Sequence, residues 1–174
     1  MAFIAILTVS DRASQGIYED RGGPAAEDWL RRVITSPVTI HRQIVPDGRA
    51  EVAAALRHLA DDLGADLILA TGGTGPSPRD QTPEAMAEVI DRDFPGFGEQ
   101  MRAASLREVP TAILSRQGAG TRGKCLIITL PGKPAAIATC LGAVFAAVPY
   151  CLDLLGASRI DTDPALCKAF RPGS

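Results

Sequence analysis

Apolar residues fall in short blocks along this chain, and the blocks alternate between the periods of strand and helix. Residues 3–9 (Phe-Ile-Ala-Ile-Leu-Thr-Val) are almost continuously apolar, which predicts a strand buried on both faces. Residues 24–34 follow with Trp29, Leu30, Val33 and Ile34 at helical spacing. Residues 38–45 alternate in part and predict a second strand. Residues 51–63 put Val52, Leu56, Leu59 and Leu63 on one face of a helix. A third strand is predicted over 66–70, a helix over 84–89 with Pro83 in its first turn, and a further strand over 124–130. Repeated β–α units with apolar strands imply an α/β fold: one three-layer αβα domain over 1–174, with a mostly parallel central sheet covered on both faces. No linker, low-complexity segment or internal repeat interrupts it.

Residues 134–147 predict a helix that is apolar almost all round. A helix without a polar face is buried on all sides, in the core or in a subunit interface, and the core is the default. At 46% hydrophobic and 22% charged over 174 residues, the composition suits one soluble domain with a sizeable core. A net charge of -2 gives no global basic field, so nucleic acid is not an expected partner and any anion site must be local. The first residues lack a basic n-region and a cleavage pattern, and no apolar run approaches membrane-spanning length. The four cysteines, Cys125, Cys140, Cys151 and Cys167, lack CxxC or zinc spacing and are expected as free thiols in a reducing cytosol. His41 and His58 give little support to a histidine metal centre or a histidine-activated nucleophile.

In a doubly wound sheet ligands bind beyond the C-terminal ends of the strands, so the residues after each strand carry the functional reading. They are Ser10-Asp11-Arg12-Ala13-Ser14, Pro46-Asp47-Gly48, a long loop from Thr71 to Pro83, and Pro131-Gly132-Lys133-Pro134. The long loop opens Thr71-Gly72-Gly73-Thr74-Gly75, where glycines permit positive φ and close backbone approach and threonines offer hydroxyls. Such a loop between a strand end and a helix start presents backbone N–H groups to a phosphate. Asp80 brings a carboxylate to it. Three strand ends with an Asp and a fourth with a Lys suit a metal–phosphate site. Plainer readings exist: Asp11 as a turn cap, Asp47 in an ordinary Pro-Asp-Gly turn, Pro131 to Pro134 as a rigid loop before a proline-started helix. Residues 118–123 fit GxGxxG, and 118–124 fit GxxxxGK. Both motifs need a following helix, whereas a strand follows here, so this segment reads as a flexible loop.

Taken together, Ser10-Asp11-Arg12, Val45-Pro46-Asp47, Thr71 to Gly75, Arg79 to Ala85 and Leu130 to Pro134 resemble the molybdopterin-binding family of molybdenum cofactor biosynthesis. Residues 95–102 (Pro-Gly-Phe-Gly-Glu-Gln-Met-Arg) and 112–117 (Ala-Ile-Leu-Ser-Arg-Gln) resemble, more narrowly, its bacterial adenylyltransferase branch. The resemblance runs from about Ile4 to Arg171. It implies a cytoplasmic enzyme that transfers AMP from MgATP to the terminal phosphate of molybdopterin and releases pyrophosphate. It further implies Asp47 and Asp80 as the catalytic pair acting through Mg²⁺, with Gly72, Gly73, Thr74 and Gly75 on the nucleotide phosphates. Ser10, Asp11, Glu84, Ser115, Pro131, Gly132, Lys133 and Pro134 are then expected to line the nucleotide and pterin pocket. A homotrimer and a downstream molybdenum-insertion protein belong to the same expectation. The alternatives are a catalytically weak or non-catalytic trimeric module that shelters the pterin, and a nucleotide pyrophosphatase on the same fold.

Overall fold

A computed structural model describes residues 1–173. The elements run β1 (Ala2–Val9), α1 (Asp11–Ser14), α2 (Gly22–Val33), β2 (Val38–Val45), α3 (Arg49–Arg57) with a π-helical turn over His58–Asp62, β3 (Leu67–Thr71) and α4 (Thr82–Val89). The second half runs β4 (Arg92–Asp93), α5 (Pro95–Leu106), a 3₁₀ turn (Pro110–Leu114), β5 (Ala119–Arg122), β6 (Cys125–Leu130), α6 (Pro134–Val144), a 3₁₀ turn (Phe145–Ala147) and α7 (Val148–Leu155). The sheet order is β2-β1-β3-β6-β5-β4. The first four strands are parallel, and β5 and β4 are antiparallel additions at one edge.

The period of two along the strands divides the core into two layers. Ile4 and Ile6 of β1, Leu67 and Leu69 of β3, and Leu126 and Ile128 of β6 face Trp29, Met101, Leu141 and Phe145 from α2, α5, α6 and the turn after it. Ala5, Leu7, Ile68, Ala70 and Ile127 face Val52, Leu56, Met86 and Val89 from α3 and α4. Strands covered on both faces need no polar side, which is why they read as apolar runs. Trp29 meets Phe145 edge-on, with ring centroids 4.9 Å apart and planes at 67°.

Four expectations change. Residues 118–123 are not a flexible loop: Ala119–Arg122 forms β5, and Gly123 at φ 54° turns it tightly into β6. The segment is therefore half of a hairpin, a geometry neither nucleotide motif can use. The helix predicted over 134–147 stops at Val144, and only one face of it is buried, through Ile137, Cys140, Leu141 and Val144. Ala135, Ala138 and Gly142 on α6 are exposed, so burial on all sides does not hold within one chain. The run Pro134–Leu155 also has the length, 22 residues, and the composition to cross a membrane, contrary to the expectation from sequence, although its larger apolar side chains other than Leu154 pack in or against the core. Finally, α5 and β4 were not anticipated. The four cysteines are free. Burial pushes the Cys125 thiol up to about 12 and raises Cys140 as well, so neither is a thiolate nucleophile at neutral pH.

Phe145 is fully buried and fills the junction of α6, α7 and α2. Phe145→Ala is expected to cost about 3–5 kcal/mol of unfolding free energy, measured by urea denaturation. A loss below about 1 kcal/mol would mean that this layer repacks freely.

Candidate active site

The chain leaves β1 toward β2 on one side and returns to β3 on the other, so a crevice opens where the C-terminal ends of β1 and β3 diverge. Because β2, β1, β3 and β6 are parallel, the loops that follow them all emerge at that edge. Ser10 joins the ends of β1 and β2 through its N–H, which donates to the Val45 carbonyl at 2.9 Å. Its Oγ accepts from the Ala13 N–H at 3.2 Å and caps α1. Asp11 and Asp47 are tied reciprocally. Asp11 Oδ1 accepts from the Asp47 N–H, and Asp47 Oδ2 from the Asp11 N–H, each at 3.0 Å. Each carboxylate thus spends one oxygen on the other's backbone and keeps one free of hydrogen bonds among the described residues. Ser10, Asp11 and Asp47, with Arg12, Tyr18 and Arg79, line a cleft of about 260 Å³.

The glycine loop is fixed by contact rather than by freedom. Gly72 has φ 100°, and a Cβ there would stand 2.3 Å from the Val9 carbonyl oxygen. Gly73 has φ 67°, and its Cβ would stand 2.3 Å from Thr82 Oγ1. Gly75 has no positive φ; its Cβ would meet Asp80 Oδ2 at 2.8 Å, because Asp80 folds back over the loop. Asp80 Oδ2 accepts from the Ser77 N–H at 3.1 Å, and the Asp80 N–H donates to the Ser77 carbonyl at 2.9 Å. Asp80 Oδ1, like Asp47 Oδ1, carries no hydrogen bond among the described residues. The threonines are engaged within the protein. Thr71 Oγ1 donates to the Pro131 carbonyl at 2.9 Å, Thr82 Oγ1 to the Gly72 carbonyl at 2.8 Å, and Thr74 Oγ1 lies 3.3 Å from Ser115 Oγ. The Thr71 hydroxyl and the Gly72 N–H, which donates to the Leu130 carbonyl at 3.0 Å, weld the loop after β3 to the loop after β6.

Arg116 clamps the same loop from outside, a role that residue-by-residue reading of the sequence missed. Its N–H donates to the Thr74 carbonyl at 2.8 Å, its Nε to the Gly75 carbonyl at 3.1 Å, and its Nη2 to the Asp80 carbonyl at 2.8 Å. The remaining donors pair with the Glu84 carboxylate. The Arg116 hydrogen bond holds the Glu84 carboxyl below its usual range. This tie is present above the ordinary carboxylate pKa and is lost as pH falls through the lowered value. Glu84 is therefore placed to orient Arg116, and it does not line the cleft with Asp47. Ser115 lines a second cleft of about 690 Å³ between α4 and α5, together with Met86, Ile90, Gly98, Arg102 and Gln117. Arg102 also serves the backbone there, donating to the Gln117 carbonyl at 2.8 Å. The structure thus gathers Ser10, Asp11 and Asp47 in one cleft with Arg79 as its link to Asp80, and sets Glu84 and Ser115 beyond the loop. At the β6 end, Gly132, Lys133 and Pro134 are exposed where α6 begins.

Among the described residues no three His, Cys, Asp or Glu side chains gather into a metal cage. An ion held by one or two carboxylates plus substrate phosphates needs no such cage. The free Oδ1 atoms of Asp47 and Asp80 fit that kind of ligation.

The two glycine constraints differ in what must yield. Gly72→Ala sets a methyl group against backbone at a positive φ, so the variant is expected to lose at least about 1–2 kcal/mol of stability. Gly75→Ala meets only a carboxylate that can swing away, and it should lose less. Thermal and urea melts of the two variants side by side give the order. Equal melting behaviour would show that the Val9 contact is not a constraint.

Residues 5–150 match the model of a family described as a probable molybdopterin binding domain. The chain is 49% identical to the molybdopterin adenylyltransferase of Helicobacter pylori strain J99, over 97% of this chain and 96% of that protein. It is 45% identical to the molybdopterin adenylyltransferase of Escherichia coli K12, over 98% and 94%. Among solved structures, the molybdopterin biosynthesis enzyme MoaB of Thermus thermophilus superimposes with a TM-score of 0.81 at 42% identity, covering 89% of this chain and 96% of that one. A parallel sheet with its polar loops at one edge, and a match that spans both, place the chain in one family: it belongs to the molybdopterin-binding domain family.

Proposed function

We propose that this chain is a molybdopterin adenylyltransferase, transferring AMP from MgATP to the terminal phosphate of molybdopterin and releasing pyrophosphate. The reading is carried by near-full-length identity to two proteins of that name, 49% and 45%, in a chain whose strand ends bring free carboxylate oxygens and a backbone-rich loop to one edge. A phosphate oxygen of the pterin attacks the α-phosphorus of ATP; the new P–O bond forms as the bond to the β-phosphate bridge breaks. The protein's work is alignment of two anions and stabilisation of charge. In this reading the backbone N–H groups of Gly73, Thr74 and Gly75 receive the nucleotide phosphates, while Gly72, whose N–H is spent on the Leu130 carbonyl, shapes the turn. Lys133, with Pro131, Gly132 and Pro134, closes the β6 side. Asp47 and Asp80 would hold the magnesium ion that arrives with ATP through their free oxygens, and that ion would supply charge neutralisation at the transferring phosphoryl group. Ser10 and Asp11 hold Asp47 in place. Ser115 and Thr74 join the loop to the α5 side, and Glu84 acts through Arg116, which fixes the carbonyls of Gly75 and Asp80.

The test is pyrophosphate release from ATP with and without molybdopterin. Release only with the pterin supports the transferase. Release without it identifies a pyrophosphatase, and pterin binding without release a binding module. Asp80→Asn keeps an acceptor for the Ser77 N–H and so keeps the turn. Its turnover is expected to fall at least ~10²-fold, the scale of losing one electrostatic stabiliser, with little change in melting temperature. Near-normal turnover would remove Asp80 from the chemistry.

The same reading makes the protein a cytoplasmic homotrimer that passes its product to a molybdenum-insertion protein. The exposed small face of α6 (Ala135, Ala138, Gly142) and the exposed Ile113 and Leu114 of the 3₁₀ turn after α5 are surfaces that a second copy would cover. Burying a new charge without a partner is strongly unfavourable, so Ala138→Glu is expected to yield a folded, smaller species by light scattering. A monomeric parent protein at micromolar concentration would overturn the assembly.

A further inference from the structure

Arg116 fixes three carbonyls of the glycine loop, and its own position is set from another element. The residues on either side of it, Ser115 and Gln117, turn their carbonyls toward α5. Arg102 Nη1 donates to the Gln117 carbonyl at 2.8 Å and, at the longer distance of 3.4 Å, to the Ser115 carbonyl. Neither carbonyl has another donor among the described residues. Arg102 makes no ion pair among the described residues, in contrast to Arg116, which pairs with Glu84, and Arg122, which pairs with Asp61. Its charge goes to backbone dipoles alone, and a hydrogen bond from an ionised donor is about twice as strong as a neutral one.

The packing around this contact is close. Gly98 lies one helical turn before Arg102 on α5, and a Cβ there would stand 2.6 Å from the Gln117 carbonyl oxygen and 3.0 Å from Arg102 Nη2. The helix therefore approaches the 115–117 segment through a glycine, and the guanidinium group lies in the space that glycine leaves. Gln117 is itself 2% exposed, and its Nε2 donates to Cys140 Sγ of α6 at 3.8 Å. The segment is thus held to α5 and α6 on one side. On the other, Arg116 reaches the Thr74, Gly75 and Asp80 carbonyls. A clamp fixes a loop only as far as its own base is fixed, and Arg102 supplies the polar part of that base.

We propose that Arg102 is a positioning residue for the reaction: it holds the backbone on either side of Arg116, and through Arg116 it sets the glycine loop and Asp80. The inference rests on the adenylyltransferase reading, which gives that loop and Asp80 their work. Two arginines then stand in series across one short segment. The first fixes the segment to the helices, and the second fixes the loop to the segment. The reaction depends on aligning two anions, so a small shift of the loop is costly even though Arg102 works at one remove from it.

The test measures turnover and amide exchange in the intact protein, in Arg102→Met, Arg102→Lys and Arg116→Met, and in the double variant Arg102→Met with Arg116→Met. Methionine keeps most of the apolar stem and removes the donors, whereas lysine keeps one charged donor. In Arg102→Met, kcat/KM for ATP is expected to fall about tenfold to a hundredfold, the scale of misplacing a reacting group by about 1 Å. Arg102→Lys is expected to lie between that variant and the parent. Because Arg102 works through Arg116, the double variant should turn over as Arg116→Met does, within about threefold. Losses that multiply in the double variant overturn the relay, as does normal turnover in Arg102→Met. Hydrogen exchange followed by NMR gives a readout independent of turnover. The Arg116 N–H, bonded to the Thr74 carbonyl, is expected to exchange at least about tenfold faster in Arg102→Met, while the N–H groups of β6 keep the parent's rates. Equal acceleration in β6 would show a general loosening of the fold and overturns the positioning role; so does an unchanged Arg116 rate. Should Arg102→Met fail to fold, Arg102→Lys carries the same readouts, alone and combined with Arg116→Met. A parent protein without turnover overturns the reaction, and the exchange rates still decide whether Arg102 sets Arg116.

Discussion

A methyl group on Gly72 would stand 2.3 Å from the carbonyl oxygen of Val9, and this contact governs the whole edge of the sheet. It brings the loop after β3 against the last residue of β1 at the point where the strand order diverges. The Gly72 N–H and the Thr71 hydroxyl then reach the loop after β6, and the Ser10 N–H reaches the end of β2. Four loops from distant parts of the chain become one surface through hydrogen bonds made mainly by backbone. Side chains at that edge are thereby released for chemistry, since few of them are needed to hold it together.

The parallel half of the fold was legible because its strands are buried on both faces. Ile4, Ile6, Leu67 and Leu69 feed one layer, and Ala5, Leu7, Ile68 and Ala70 the other, so no polar position interrupts the apolar runs. The antiparallel edge was not legible for the opposite reason. Ala119, Gly120 and Thr121 are small, and nothing in their pattern distinguishes a strand from a loop; β5 exists because β6 and β4 pair with it. Gly120 is glycine because a Cβ there would stand 2.7 Å from the Arg92 carbonyl oxygen, a fact of packing that no local pattern carries. The helix α5 begins Pro-Gly-Phe-Gly, which hides its periodicity behind two helix-weakening glycines. As for α6, alanine counts as apolar in any pattern, but a row of small side chains can face outward at little cost.

The candidate site was legible as a set of residue types at strand ends and not as a division of labour. Asp11 and Asp47 sit 36 positions apart, and their reciprocal bonds to each other's backbone follow only from the parallel pairing of β1 with β2. Thr71 and Thr74 looked like ligand donors, yet Thr71 donates to the Pro131 carbonyl of the loop after β6 and Thr74 lies against Ser115. Glu84, expected to line the pocket, is held by the guanidinium group of Arg116. That arginine could have been singled out only by asking which cation would hold three carbonyls of a glycine-rich turn. Sequence gives the chemistry available at an edge, and tertiary pairing decides which groups are spent on structure and which are left over.

That remainder answers an electrostatic difficulty. The chain carries a net charge of -2, while the proposed reactants are both polyanions. At physiological ionic strength the field of exposed charges is screened beyond about 8 Å, so neither the net charge nor the distant arginines decide affinity. What would matter for the proposed reaction is the set of donors at this edge: the N–H groups of Gly73, Thr74 and Gly75, Lys133, and the guanidinium groups of Arg12 and Arg79. The carboxylates of Asp11 and Asp47 would repel an anion at that range. Each has one oxygen turned to a backbone N–H, which lowers that repulsion, and the other, which carries no hydrogen bond among the described residues, would be open to a cation arriving with the substrate in the proposed reaction. An acidic protein can in this way favour a metal-bound nucleotide over a bare one, because only the former brings its own neutralising charge to the edge.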